Sequence, residues 1–172
     1  MRLESLHELF LLELHDMLDA EHQLVKALPK IADKASYPEL KSGITTHLEQ
    51  TRRQVERLEK VLESLGEPVR RKKCEGMRGI LEEGEELASK TGDPAALDAG
   101  IIASAQKVEH YEIAAYGTLC AWAETMGHKQ ELQLLKQTLE EEKQTDQKLT
   151  QLAQQMINAD AAQAAGAKQR SA

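Results

Sequence analysis

Acidic residues interrupt the apolar repeat of three long helical segments, at Glu21, Glu112, Glu142 and Asp146. Each segment repeats apolar residues in steps of three and four, and each acid stands where the next apolar residue is expected. Burying a carboxylate is costly unless it is paired, protonated or bound to a metal ion. Carboxylates that meet from several helices of a bundle bind the metals of di-iron and di-manganese proteins, and such ligands suit iron or manganese better than zinc or copper. The pattern therefore predicts a dinuclear Fe or Mn site.

An ordinary alternative exists for each acid taken alone. A single Glu at such a position usually reaches the edge of the bundle or pairs with a Lys, and this would be the interpretation of Glu21 by itself. Acid-rich runs such as Glu140 to Glu142 are typical of a solvated helix face, where we expect Glu140 and Glu141. Metal binding is favoured because the acids recur near the middle of three different helices.

The spacing gives the histidines no role in this site. His22 and His110 each directly follow an acidic residue, so they project about 100° away from it around the helix. His47 lies two residues before Glu49, nearly on the opposite face. We expect all three to be exposed or to lie between helices.

Glu49 also falls outside the apolar seam of its own helix, where Leu48 holds the seam position. Together with Arg52 and Glu56 it forms a neighbouring stripe whose i,i+3 and i,i+4 spacing is typical of surface salt bridges. Spacing alone therefore predicts that Glu49 is a surface residue.

Four long helices would carry these residues. The first opens with a capping-box pattern at Ser5 and Glu8, and the second runs from about Pro38 to Leu65. The third begins at Asp93 and ends at Gly127, and the fourth starts near residue 129. Their seams are Phe10, Leu14, Met17, Glu21, Leu24, Leu28 and Ile31; Ile44, Leu48, Thr51, Val55, Leu58, Leu62 and Leu65; Ile101, Ala105, Val108, Glu112, Ala115, Leu119 and Trp122; and Leu135, Leu139, Glu142, Asp146, Leu149, Ala153 and Met156.

The order of these elements predicts an all-α chain, because strong helix formers dominate and β-branched runs are scarce. Two helical hairpins joined by a long connection indicate a ferritin-like four-helix bundle. The connection, residues 67–92, is a crossover that carries a short extra helix. We expect residues 1–157 to form the bundle and the Ala/Gln-rich residues 158–172 to be a disordered tail.

Composition argues against several classes of protein. The net charge of −7 and the lack of a basic stripe disfavour nucleic-acid binding, since the one basic run is Arg70 to Lys73 in a predicted loop. No segment reads as a signal peptide or a membrane span. Cys74 and Cys120 stand far apart, which predicts free thiols in a reducing compartment. We therefore expect a cytoplasmic protein without nucleic-acid or membrane partners.

Three stretches carry a resemblance to a known family. "HLEQTRRQVERLE" (47–59), "AQKVEHYEIAAYGTL" (105–119) and "LLKQTLEEEKQTDQKLT" (134–150) resemble the YciF-type bacterial stress proteins, a ferritin-like family of small dimeric bundles related in fold to rubrerythrin. The likeness runs from the first helix to the end of the fourth. It implies a homodimer, a stress-response role and a dinuclear site drawn from Glu21, Glu49, Glu109 or Glu112, Glu142 and Asp146.

The sequence departs from the ferritin-like pattern at both expected Glu-x-x-His motifs. Glu49 is followed by Arg52, and Glu142 by Thr145 or Asp146. The Arg52 guanidinium has no lone pair for a metal. Two functions remain open: an Fe or Mn site that reacts with oxygen or peroxide, with Tyr111 or Tyr116 nearby as a redox-active or hydrogen-bonding residue, or a metal-free dimeric bundle in which Arg52 neutralises a vestigial acid cluster.

Overall fold

The computed structural model describes residues 3–169, with side chains as far as residue 164. Within this range helices are the only regular secondary structure, which confirms the all-α prediction. The elements are α1 (Leu6–Lys34), α2 (Pro38–Ser64), α3 (Glu75–Ala88), α4 (Pro94–Met126), α5 (Lys129–Leu152), a π-helical turn (Ala153–Ile157) and α6 (Asn158–Gln169).

The helix ends follow the capping signals of the sequence. Ser5 Oγ accepts a hydrogen bond from the Glu8 backbone N–H at 3.1 Å, and Asp93 Oδ1 accepts one from Ala96 at 3.1 Å. Gly127 ends α4 in the left-handed region at φ 76°, where a residue with a Cβ would be strained. These local signals fix the lengths of the helices, and therefore the level at which each side chain enters the bundle.

Helices α1 and α2 form one antiparallel hairpin, and α4 and α5 form the other. The hairpins pack through α1 against α4 and α2 against α5, while α3 lies across α1 and α4. This is the predicted four-helix bundle with a long crossover that carries a short helix. A continuous core fills it, with Phe10, Leu24, Leu58, Ile102 and Leu119 among its most buried side chains.

Two glycines let α3 lie close against α4. A Cβ built on Gly100 would collide with the side chain of Leu87, and one built on Gly76 would lie 2.8 Å from Tyr111 Cε2. Real Cβ atoms do not approach this closely, so a larger residue at either position would force the neighbouring side chain to move. The Tyr111 ring beside Gly76 has less freedom to do so than the end of the Leu87 side chain beside Gly100.

A carboxylate on α4 holds the turn between α1 and α2. Asp98 is fully buried, and its oxygens accept hydrogen bonds from the backbone N–H groups of Ser36, at 3.0 Å, and Tyr37, at 2.7 Å. The bond ties the first hairpin to the second at one end of the bundle, and it satisfies backbone donors that the turn leaves free.

The C-terminal segment differs from the expected disordered tail. Residues 158–169 continue as α6, which packs against α4, and the Tyr37 hydroxyl donates a hydrogen bond to Asp160. Ala and Gln are strong helix formers, and the fully buried Ile157 anchors the start of this helix. Residues 170–172 lie outside the described part of the chain.

The structure bears on two further expectations. Cys74 and Cys120 are both free and buried, as their separation predicts. Among residues 3–169, none of the helices combines the length and the apolar character needed to cross a membrane.

Candidate metal centre

Four helices deliver a buried cluster of titratable side chains to the middle of the bundle. Glu21 comes from α1, His47 from α2, Glu109 and Glu112 from α4, and Glu142 from α5; each is at most 4% exposed. Of these, His47, Glu109, Glu112 and Glu142 each offer one ligand atom, and these atoms all lie within 4.8 Å of one another. The four helices enclose these side chains almost completely.

His47 faces two of the carboxylates through one ring nitrogen. Its Nε2 lies 3.4 Å from Glu109 Oε1 and 3.9 Å from Glu142 Oε2. Its other nitrogen, Nδ1, lies 3.4 Å from the hydroxyl of Thr145 on α5. The ring is thereby oriented with Nε2 toward the acids, as a metal-ligating histidine requires.

Glu21 adjoins the cluster on the α1 side. The fully buried Tyr116 donates a hydrogen bond from its phenol to Glu21 Oε1. Of the two tyrosines that the sequence offers as neighbours of the site, Tyr116 lies beside it, whereas the Tyr111 hydroxyl lies 3.1 Å from Cys74 Sγ. Glu21 therefore keeps one oxygen fixed and presents the other inward.

Glu142 is fixed in the same manner from α2. The fully buried Gln54 donates from Nε2 to Glu142 Oε1, and also to Glu141 Oε2 at 3.0 Å. Arg57 bonds Glu141 through two nitrogens, each at 2.7 Å. Glu140 is exposed as expected, whereas Glu141 pairs with Arg57 between α2 and α5 instead of lying on a solvated face.

Several polar atoms of the cluster have no hydrogen-bond partner among the described residues, although they are completely buried. Native structures leave few such atoms, because each unsatisfied group costs about 1–3 kcal/mol. Their convergence indicates a place for a cation. The atoms are Glu21 Oε2, His47 Nε2, Glu109 Oε2, Glu112 Oε1 and Oε2, and Glu142 Oε2.

Burial controls the protonation of the cluster. It raises the pKa of Glu21, Glu109 and Glu112 well above the ordinary value of 4.5, and the neighbouring carboxylates raise each pKa further. The pKa of Glu142 rises to about 7, chiefly by burial, and burial lowers the pKa of His47 to about 4. Burial therefore favours the neutral forms of both His47 and Glu109 where the two side chains meet.

The structure does not bring Glu49 to the cluster, which corrects its inclusion among the candidate ligands. Its carboxylate pairs with Arg52 at 2.5 Å on the surface, where both side chains are about half exposed. Leu48 occupies the inward position, so the next residue turns roughly 100° away. Spacing alone predicts this placement, and the resemblance to the family misassigns it. Because Arg52 points outward, it does not neutralise the acids either.

Asp146 lies at the edge of the site and not inside it. Its Oδ1 accepts a hydrogen bond from Gln106 at 3.0 Å and lies 3.4 Å from His110 Nε2. The side chain is 22% exposed, but its charge still contributes to the raised pKa of Glu109. Asp146 is thus close enough to act on the cluster electrostatically, without a place in it.

His47 is the residue that the sequence reasoning missed. The steps of three and four in α2 fit a second seam equally well, shifted by one residue at alternate positions. Every member of that seam is buried: Ile44, His47, Thr51, Gln54, Leu58 and Val61. This alternative periodicity was the signal that could have placed His47 and Gln54 inside the bundle.

Known proteins are similar to this chain in both sequence and fold. The profile of the family described as "Domain of unknown function (DUF892)" matches residues 5–162. Protein YciF of Escherichia coli K12 is 45% identical over 159 residues, which is 92% of this chain and 96% of that protein.

Two solved structures are also similar. The crystal structure of the E. coli stress protein YciF superposes with a TM-score of 0.87 at 44% identity, over 91% of this chain and 99% of that one. The structure of YcfI from Rhodopseudomonas palustris gives a TM-score of 0.84 at 44% identity, over 86% and 94% of the two chains.

Proposed function

The chain belongs to the DUF892 family, and from this membership and the buried cluster we propose that it is a ferritin-like stress-response protein whose core binds two divalent iron or manganese ions. The family relationship to the E. coli stress protein YciF supports the stress role. The proposed protein is cytoplasmic, because its two cysteines are free thiols. It is also a homodimer, because the family that it resembles consists of dimeric bundles.

The single observation that carries the metal site is the set of buried atoms without partners. Six such atoms belong to five side chains, and all are potential ligands: Glu21 Oε2, His47 Nε2, Glu109 Oε2, Glu112 Oε1, Glu112 Oε2 and Glu142 Oε2. A protein that needed these residues only for packing would gain stability from apolar replacements of similar volume. Their arrangement is therefore better explained by a ligand than by the fold.

Charge balance favours two ions over one. Four carboxylates carry four negative charges when they are deprotonated, and two divalent cations compensate them with no remainder. Five side chains with one imidazole and four carboxylates match the preference of iron and manganese for oxygen-rich sites. Glu112 leaves both of its oxygens free, so it is the acid best suited to contact both ions.

The residues around the cluster would position the ligands. Thr145 beside Nδ1 of His47 favours metal binding through Nε2, while Gln54 and Tyr116 each hold one oxygen of Glu142 and Glu21. Bound iron or manganese would supply redox chemistry toward oxygen or peroxide. The chain itself excludes bulk water from the centre and keeps the Tyr116 proton in place, because burial raises the pKa of that phenol.

A metal-free structural bundle is the second candidate, and two hydrogen bonds inside the cluster favour it. Tyr116 satisfies one oxygen of Glu21, and Gln54 satisfies one oxygen of Glu142, without any cation. The raised pKa values of Glu21 and Glu142 would let these acids stay protonated and thus avoid mutual repulsion. In this case the dimer would serve a non-enzymatic role, and the surface residue Arg52 would take no part in neutralising the acids.

Metal titration distinguishes the two candidates. Protein purified without chelator is analysed for bound metals, then depleted and titrated anaerobically with Fe(II) or Mn(II) in a calorimeter. We expect two ions per chain, loss of binding in Glu112→Gln, and unchanged binding in the surface control Glu49→Gln. Absence of metal from the purified protein and from both titrations would refute the metal site. An unchanged melting temperature after EDTA treatment of loaded protein would favour the structural bundle.

A further inference from the structure

An apolar cavity of about 50 Å³ leads from the crossover helix α3 to the acid cluster. Ile80, Leu81 and Gly84 of α3 form one wall, and Leu28 and Ile101 of the bundle form part of the other. All five helices from α1 to α5 contribute residues to its lining. The cavity therefore lies where α3 covers the gap between the two hairpins.

The cavity lining follows one face of α4, with residues from Ile101 to Glu109. The small side chain of Ala105 keeps space open there, since a larger one would occupy it. A volume of about 50 Å³ limits the occupant to a small molecule.

The inner end is polar, and the remainder is not. His47, Glu109 and Thr145 line the end next to the cluster, and both His47 Nε2 and Glu109 Oε2 are fully buried without a partner. The apolar stretch offers few hydrogen-bonding groups, whereas a buried water needs about two to four polar partners. A ligand that fits both regions has an apolar body and one polar end.

We infer that this cavity binds a small aliphatic molecule, whose apolar chain lies under α3 and whose single polar end meets His47 and Glu109. The contact of the polar end with the metal centre rests on the proposed function, and the cavity would then set the substrate class of that centre. Binding of the apolar chain depends only on the cavity, so it persists in protein without metal.

Straight-chain alcohols from ethanol to 1-octanol test the assignment, with EDTA-treated full-length protein and ligand-observed NMR or calorimetry. Each methylene buried in the cavity should tighten binding about fourfold until the chain fills the space. Intermolecular NOEs should connect the terminal methyl protons to Ile80 or Leu81 and the hydroxymethyl protons to Val108.

Cavity-filling variants with matched controls locate the binding. Ala105→Leu lines the cavity and should weaken 1-butanol binding at least tenfold, whereas Ala99→Leu, on the same helix and also half buried, should leave it unchanged. Gly43→Leu is a second filling variant, because a Cβ there meets no atom within 4 Å; Gly117→Leu is its control.

Three results would overturn the inference: no dependence on chain length, equal effects in the filling and control variants, or NOEs that place the hydroxymethyl group away from Val108. Alcohol binding that follows the cavity, in protein that takes up no Fe(II) or Mn(II), would refute the metal site while supporting the cavity. Metal uptake without alcohol binding would support the metal site and refute the inference about the cavity.

Discussion

Replacing Glu142 by Gln should stabilise the metal-free protein at alkaline pH and weaken metal binding. The amide keeps an oxygen that can accept the hydrogen bond from Gln54, and it has nearly the volume of the acid. It removes the ionisable group, however, so folding of the variant no longer requires the burial of a charge. The substitution thus separates the electrostatic cost of Glu142 from its packing.

The magnitude follows from the shift of one pKa. Glu142 has an ordinary value of 4.5 and rises to about 7 in the folded protein. A carboxyl with a raised pKa stabilises the fold fully below pH 4.5, and this contribution is lost as the pH rises through 7. Over that interval the free energy of unfolding falls by about 3 kcal/mol for this group. His47, whose pKa is lowered to about 4, has the opposite pH dependence, but it is present in both proteins and cancels in the difference.

Urea denaturation of chelator-treated protein between pH 4.5 and pH 8 measures this effect. The Glu142→Gln variant should equal the unmodified protein near pH 4.5 and exceed it by about 3 kcal/mol at pH 8. The control Glu140→Gln changes an exposed acid on the same helix and should stay within about 0.5 kcal/mol at both values. With Mn(II) present the order should reverse at pH 8, because the variant loses a ligand. Equal pH dependence of the stability of Glu142→Gln and of the unmodified protein would show that burial does not raise the pKa of Glu142.

Three further substitutions test separate parts of the structure. Tyr116→Phe removes the donor to Glu21 and should destabilise the metal-free protein by about 1–3 kcal/mol in urea denaturation; an unchanged midpoint would argue against that bond. Arg52→His should leave Mn(II) affinity in calorimetry unchanged within twofold, since Arg52 lies on the surface, and a clear gain in affinity would mean that it reaches the cluster. Gly76→Ala inserts a methyl group 2.8 Å from the ring of Tyr111 and should lower stability by about 1–3 kcal/mol, whereas a stability equal to that of the unmodified protein would contradict the close contact of α3 and α4.

The helices and three of the buried acids could be predicted from the sequence because their signals are local. Steps of three and four, together with Ser5, Asp93 and Gly127, define the helices, and an acid inside such a repeat is expected to point inward. Glu21, Glu112 and Glu142 were predicted on this basis, and all three are completely buried. Asp146 was predicted in the same way, but it lies at the edge of the site and is 22% exposed.

The remainder of the site depends on tertiary contacts that spacing does not encode. The helical repeat of α2 fits two seams, and only the packing of α5 against α2 selects the one that contains His47. Glu109 lies one turn before Glu112 and outside the seam predicted for α4. It becomes a core residue only because α2 and α5 close over that side of the helix. Spacing places Glu49 correctly, and the family resemblance misplaces it. The helix beyond Ile157 depends likewise on its contact with α4.

The cluster draws its members from both helical hairpins, and this division has a consequence for folding. Glu21 and His47 belong to the first hairpin, while Glu109, Glu112 and Glu142 belong to the second. Neither half contains the complete set, so the site comes into being only when the two halves dock. Metal ions held by side chains of both halves would therefore stabilise the docked state relative to the separated hairpins. The extent to which the two hairpins separate and rejoin would then follow the supply of metal in the cell.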